Sequence, residues 1–229
     1  LRRATLCVTP SLLYVARATD NNDFRKFLFT QLAKLIAIVK QHIRNYLDKI
    51  LELVKELWTP NCPLQLTLAI LLLVEYIAVA LGSEFKVYLT QLMPQILRVL
   101  AHDTSDERIV TKTLLTALQK FEDNLDDYMH LIIPSIVKLF DATDCPLSVA
   151  KVAMETVDYL SDSLNYSELV SRIIHPLVRS LETCPSLRPT AMDTLCALIV
   201  QLGPKYTDFI PLVQKVVAKH RIQHQNSCG

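Results

Sequence analysis

The sequence predicts an all-α superhelix, a solenoid built from stacked helix pairs. Three observations carry that reading. The first is an internal repeat in the 229 residues: an aromatic residue, three residues, two apolar residues, a proline, then an amphipathic run. Pro10, Pro94, Pro134, Pro176 and Pro211 fill the proline slot and Glu52 stands in it once, at intervals of 42, 42, 40, 42 and 35 residues. A period near 40 is the signature of HEAT or armadillo-type repeats, in which each unit buries its faces only against its neighbours. The second is helical periodicity inside the repeat. Gln91, Gln95 and Arg98 fall at i, i+4 and i+7, one exposed stripe, and Asp48, Lys49, Glu52, Lys55 and Glu56 form another in the copy at 46–58. The third is the scarcity of glycine. Only 3 are present, Gly82, Gly203 and Gly229, which excludes a Rossmann fold, a P-loop or a kinase ATP loop and argues against a hairpin-rich β protein.

Taken in order, the repeat copies are 4–15, 46–58, 88–100, 128–140, 170–182 and 206–217. Their proline sits in the first turn of a helix or kinks a longer one, and the flanking apolar residues favour a kink or a short preceding turn. Between them lie more uniformly apolar helices at 24–43, 64–81, 107–121, 147–164 and 187–202, as expected of elements sandwiched between neighbours. The loops beginning at Thr59, His102, Asp141 and Glu182 carry Pro, Asp, Ser or Thr suited to cap the next helix. Gly82 and Gly203 suit helix C-termini that need positive φ. The expected organisation is one solenoid over 1–225, about five helix pairs plus a partial first repeat, with a divergent tail at 226–229.

Composition narrows the function classes. Hydrophobic residues make up 51% and charged residues 21%, which excludes intrinsic disorder. The 24 Lys and Arg against 23 Asp and Glu leave a net +1, so nothing in the overall charge points to nucleic acid. The apolar run at 66–81 has 16 residues and Glu75 in its middle, and reads as a buried helix rather than a membrane span. The six cysteines include no CxxC pair, and reduced thiols in a cytoplasmic setting are expected. The beginning shows no signal-peptide cleavage pattern.

At this point the sequence resembles a known family. ALGSEFKVYLTQLMPQILRVLAHD at 80–103, NLDDYMHLIIPSIVKLFDA at 124–142, ETVDYL at 155–160 and FRKFLFTQLAKLIAIVKQHIR at 24–44 are similar to the middle HEAT-repeat region of the target of rapamycin (TOR) serine/threonine kinases. So are SRIIHPLVRSLE at 171, TAMDTL at 190 and KHRIQHQ at 219, and the likeness runs over almost all of 4–225. The resemblance implies a fragment without the kinase domain, and no catalytic or ATP-binding motif of the family has a counterpart here. It also implies a non-catalytic scaffold role in nutrient-responsive growth signalling. The implied partners are companion subunits of the raptor type and a second TOR protomer, with no nucleic acid and no integral membrane span. The implied location is cytoplasmic, peripheral on endolysosomal membranes through complex partners. The alternative is a free-standing HEAT adaptor of the transport-receptor or phosphatase-scaffold type.

No catalytic, cofactor-binding or metal-ligating residue is predicted. His220 and His224, four residues apart, lack a third ligand. Glu122, Asp123, Asp126 and Asp127 lack the glycine that a Ca²⁺ loop needs at its bend. Cys145 or Cys196 with His175 has no spacing that selects a thiol–imidazole pair. Arg98, Lys138, Arg179 and Lys215 recur three or four residues after the landmark position and form a candidate partner-binding ridge, against the plainer reading of a solvated stripe. Cut repeats at both ends are expected to expose Leu12, Leu13, Val15, Ile210, Leu212, Val213, Val216 and Val217 and to promote association.

Overall fold

The computed structural model describes residues 2–223, with side chains from Val8 onward. The expectations for Cys7, His224, Cys228 and the tail at 226–229 fall outside these limits. Among the described residues the chain is helical and has no strand. It forms two compact units, Leu1–Val99 and Leu100–Gly229.

The first unit contains α1 (Arg2–Ala18), α2 (Asn22–Val39), α3 (Leu47–Leu57), α4 (Leu64–Leu81) and most of α5 (Lys86–His102). Here α1 packs on α3 and α2 on α4, so alternate helices stack in two layers. Helix α2 starts where the Asn21 Oδ1 accepts the Phe24 backbone N–H at 3.0 Å, satisfying one of the donors that a helix start leaves open. Helix α4 is the apolar run. By length and composition the stretch within Leu64–His102 could cross a membrane, yet protein covers much of it. Leu66, Ile70, Leu73, Val74 and Ile77 are each at most 1% exposed, packed beside α2. Full burial of such side chains stabilises by about 1.5–3 kcal/mol each. The Trp58 ring, 1% exposed, closes the C-terminus of α3.

The second unit contains α6 (Ile109–Gln119), α7 (Met129–Asp141), α8 (Leu147–Leu160), α9 (Val170–Thr183), α10 (Arg188–Leu202) and α11 (Ile210–His220). Helices α6, α8 and α10 pack in succession in one layer, and α7, α9 and α11 in the other. This is the expected alternation of even and odd helices.

Local details refine the predicted elements. Pro10, Pro94, Pro134 and Pro176 lie inside α1, α5, α7 and α9, whereas Pro211 occupies the first turn of α11. The short preceding turn is present as 3₁₀ segments at Lys40–Tyr46, Glu122–Tyr128 and Gly203–Phe209. The first of these segments shortens α2, which ends at Val39 rather than 43. Helix α6 begins at Ile109 rather than 107, because Glu107 and Arg108 have φ of 50° and 46°. After Cys62 and Cys145 it is the proline of the loop that caps the next helix. Pro63 and Pro146 take the cap position without any side-chain bond, and their carbonyls accept the first helical N–H groups. Of the residues expected at exposed ends, Val216 is buried at 3% exposure by the packing of α11 on α9.

Candidate interaction surface

The polar contacts between repeats share one sequence separation. In the first unit the Arg17 guanidinium donates to Glu56 at 2.9 Å, Lys26 to Gln65 at 2.9 Å and Lys55 to Gln91 at 2.9 Å, across 39, 39 and 36 residues. In the second, Gln119 donates to Thr156 at 3.1 Å across 37 residues and Thr194 to the Met154 carbonyl at 3.3 Å across 40. These separations are the sequence period expressed as hydrogen bonds: a side chain meets its counterpart one repeat away.

This geometry accounts for two of the four anticipated ridge residues. Arg98 lies on α5 and its Nη2 donates to the Trp58 carbonyl at 3.0 Å, satisfying the end of α3. Arg179 lies on α9 and its Nη1 donates to Asp141 Oδ1 at 2.5 Å, at the end of α7. Lys219 repeats the arrangement on α11, 3.4 Å from Glu182 on α9. Lys138 on α7 and Lys215 on α11 are exposed. In the second unit the three ridge positions Lys138, Arg179 and Lys215 therefore sit on successive helices of one layer.

Titratable groups are mostly structural. Burial pushes the Asp103 carboxyl up, but hydrogen bonds from Ser105 and Thr111 outweigh it and hold the group below the ordinary carboxylate value. Burial and the nearby carboxylates Asp193, Asp162 and Glu155 push Asp158 up. Burial raises the Cys62 and Cys145 thiols despite nearby arginines, so neither has the character of a nucleophile. Among the described residues Cys62, Cys145, Cys184 and Cys196 form no disulfide. His175 packs edge-on against Phe209 at 5.8 Å, and His220 Nδ1 lies 3.2 Å from Arg188. Among the described residues no group of three or more His, Cys, Asp or Glu is arranged to hold a metal.

One set of surface residues went unnoticed in the sequence. Ile38 on α2 and Val79 on α4 are 65% and 63% exposed, 41 residues apart. Counterparts in the second unit are Tyr159 and Val200, exposed at 44% and 86%. Lys120 lies 5.8 Å over the Tyr159 ring. A period of about 41, rather than alignment on proline, marks these positions in each unit.

With this arrangement in view, the relatives are informative. Over 94% of this chain there is 54% identity to the serine/threonine-protein kinase mTor of Drosophila melanogaster. The chain is homologous to a segment of the TOR kinases. The kinase tor1 of Schizosaccharomyces pombe is 39% identical over 95% of the chain, and TOR of Arabidopsis thaliana 33% over 95%. The chain spans only about 9% of the length of these relatives. This TOR segment is a helical repeat region and not the kinase domain. No family model matches the chain. Among solved structures, Kap121p superposes with a TM-score of 0.76 at 13% identity, over 95% of this chain and 22% of Kap121p. A designed armadillo repeat protein superposes with a TM-score of 0.65 at 14% identity, over 93% of this chain and 92% of the other. These two likenesses establish the HEAT/armadillo solenoid fold.

Proposed function

We propose that this segment is a non-catalytic scaffold of a TOR kinase, supporting the contacts between protomers and with companion subunits of the raptor type in nutrient-responsive growth signalling. The observation that supports the reading most is the 54% identity over 94% of the chain to a TOR kinase, on stacked helices in which charged side chains such as Arg98 and Arg179 bond to the neighbouring repeat. A structural array keeps its shape by such contacts and offers what remains exposed to partners. The location that goes with this role is cytoplasmic, with peripheral attachment to endolysosomal membranes through complex partners.

The test is a domain exchange. A full-length TOR kinase carrying this chain in place of its own matching segment should co-purify its companion subunit and retain its dimeric mass. A second version carries a designed armadillo array of equal length instead. If that version assembles equally well, the segment is a spacer and the scaffold reading fails.

A further inference from the structure

We propose that the groove between the C-terminal halves of α2 and α4 is a docking site for an acidic amphipathic helix of a partner protein. The groove has a volume of about 460 Å³ and is lined by Ile38, Val39, Lys40, Gln41, His42 and Val79 together with Ala80. Its apolar walls are the side chains of Ile38 and Val79, 65% and 63% exposed on two helices that pack side by side. Their neighbours Val39 and Ala78, at 2% and 1% exposure, are held in the core, so the walls stand on a rigid base. Single exposed aliphatic residues are ordinary, but two facing each other across a concave surface form a seat for an apolar side chain.

The charge around the groove selects the partner. Residues 24–47 hold no Asp or Glu, and Lys34 and Lys40 stand within about one turn of Ile38. The unit Leu1–Val99 holds 12 Lys and Arg against 7 Asp and Glu, a net +5, whereas Leu100–Gly229 holds 12 against 16, a net −4. The overall +1 conceals this division. Of the carboxylates on the α4 side, Glu84 is paired with Arg44 and Glu75 is engaged within the fold. Lys40 and His42 on the rim are exposed. The polar lining is itself exposed, with no buried polar group to orient a small molecule. A helix is the natural occupant of a groove between two helices: anchors at i, i+3 or i+4 and i+7 reach the floor while its acidic flanks face Lys40 and Lys34.

Fluorescence polarisation of the whole chain with a labelled helical peptide of about five turns, leucines on one face and glutamates on the other, tests the proposal. Saturable binding is expected. Val79→Asp and Ile38→Asp should each weaken it about tenfold or more, equivalent to at least about 1.4 kcal/mol. Lys40→Glu should weaken it about threefold and flatten its salt dependence. Val200→Asp, a change at an exposed valine in the other unit, should leave it unaltered. Circular dichroism checks that the variants remain folded, and Ile38→Ser with Val79→Ser replaces any that do not. The proposal is overturned by absence of saturable binding, by equal binding of a lysine-substituted peptide, or by unchanged affinity in Val79→Asp. It is also overturned if the chain ignores the peptide but sediments with phosphatidylserine vesicles in a Val79-dependent way, because the face would then be a membrane contact.

Discussion

At the level of single residues, Asp103 and Gln201 show how much one side chain can hold. The Oδ2 of Asp103 accepts the Thr111 backbone N–H at 2.8 Å and its hydroxyl at 2.7 Å, while Oδ1 accepts the Ser105 N–H at 2.8 Å. One carboxylate thus organises the irregular entry to α6. Asp103→Ala should cost about 1–2 kcal/mol in urea unfolding at neutral pH. Because the folded carboxyl titrates below its ordinary value, its contribution is present above about pH 4 and is lost as pH falls through the lower folded value. The stability gap between wild type and Asp103→Asn should accordingly narrow below pH 4. Gln201 donates its amide to the Ser161 and Leu164 carbonyls and accepts the Tyr166 N–H at 3.1 Å. Gln201→Ala leaves these backbone groups without that partner and should cost about 1–3 kcal/mol by thermal or urea unfolding. The loss should exceed that of Arg179→Ala, whose ion pair is exposed and worth about 0–1 kcal/mol.

At the level of elements, three of the even helices, α2, α4 and α10, end in a common way. Gly82 and Gly203 have φ of +57° and +50° with ψ near −131° and −124°, a region that suits glycine. Lys40 ends α2 with φ 49° and ψ −127°, the same conformation in a residue with a Cβ. Such a conformation costs about 1–3 kcal/mol in a non-glycine residue, against the roughly 0.5–1 kcal/mol that glycine loses in freedom on folding. Lys40→Gly should therefore raise the urea midpoint, by about 1 kcal/mol in stability. Gly82→Ala should lower it by a similar amount without a steric clash, since an added Cβ would meet nothing within 4 Å. Equal effects of opposite sign at the two positions would identify the backbone as their source.

At the level of the whole molecule, packing by neighbours makes stability local. Side-chain bonds between repeats span a single period, as at Arg17–Glu56 and Gln119–Thr156. Damage in one repeat should then pass mainly to adjacent ones. Hydrogen exchange in Gln201→Ala should accelerate around α8 and α10 while the amides of α2 and α4 keep their protection. Uniform acceleration throughout would instead reveal a fully cooperative chain. A calorimetric titration with ATP should give no saturable signal, as expected of a chain without a phosphate-cradling loop.

The repeat was legible because stacking demands it: each period must present an apolar face to the one before, so Pro94, Pro134 and Pro176 mark equivalent places in α5, α7 and α9. The positive φ at Gly82 and Gly203 was legible for a similar reason, since few residues other than glycine adopt it without strain. The same conformation at Lys40 was not, because lysine carries no such mark and tertiary packing imposes the strain. Neither was the fate of the anticipated ridge. Linear spacing places Arg98, Lys138, Arg179 and Lys215 at related positions, but only the neighbouring repeat decides that Arg98 finds the Trp58 carbonyl and Arg179 finds Asp141. Local sequence sets which face of a helix is polar. Whether a cation on that face remains available depends on what lies one repeat away, a distance of about 10 Å in space and 38–40 residues in the chain.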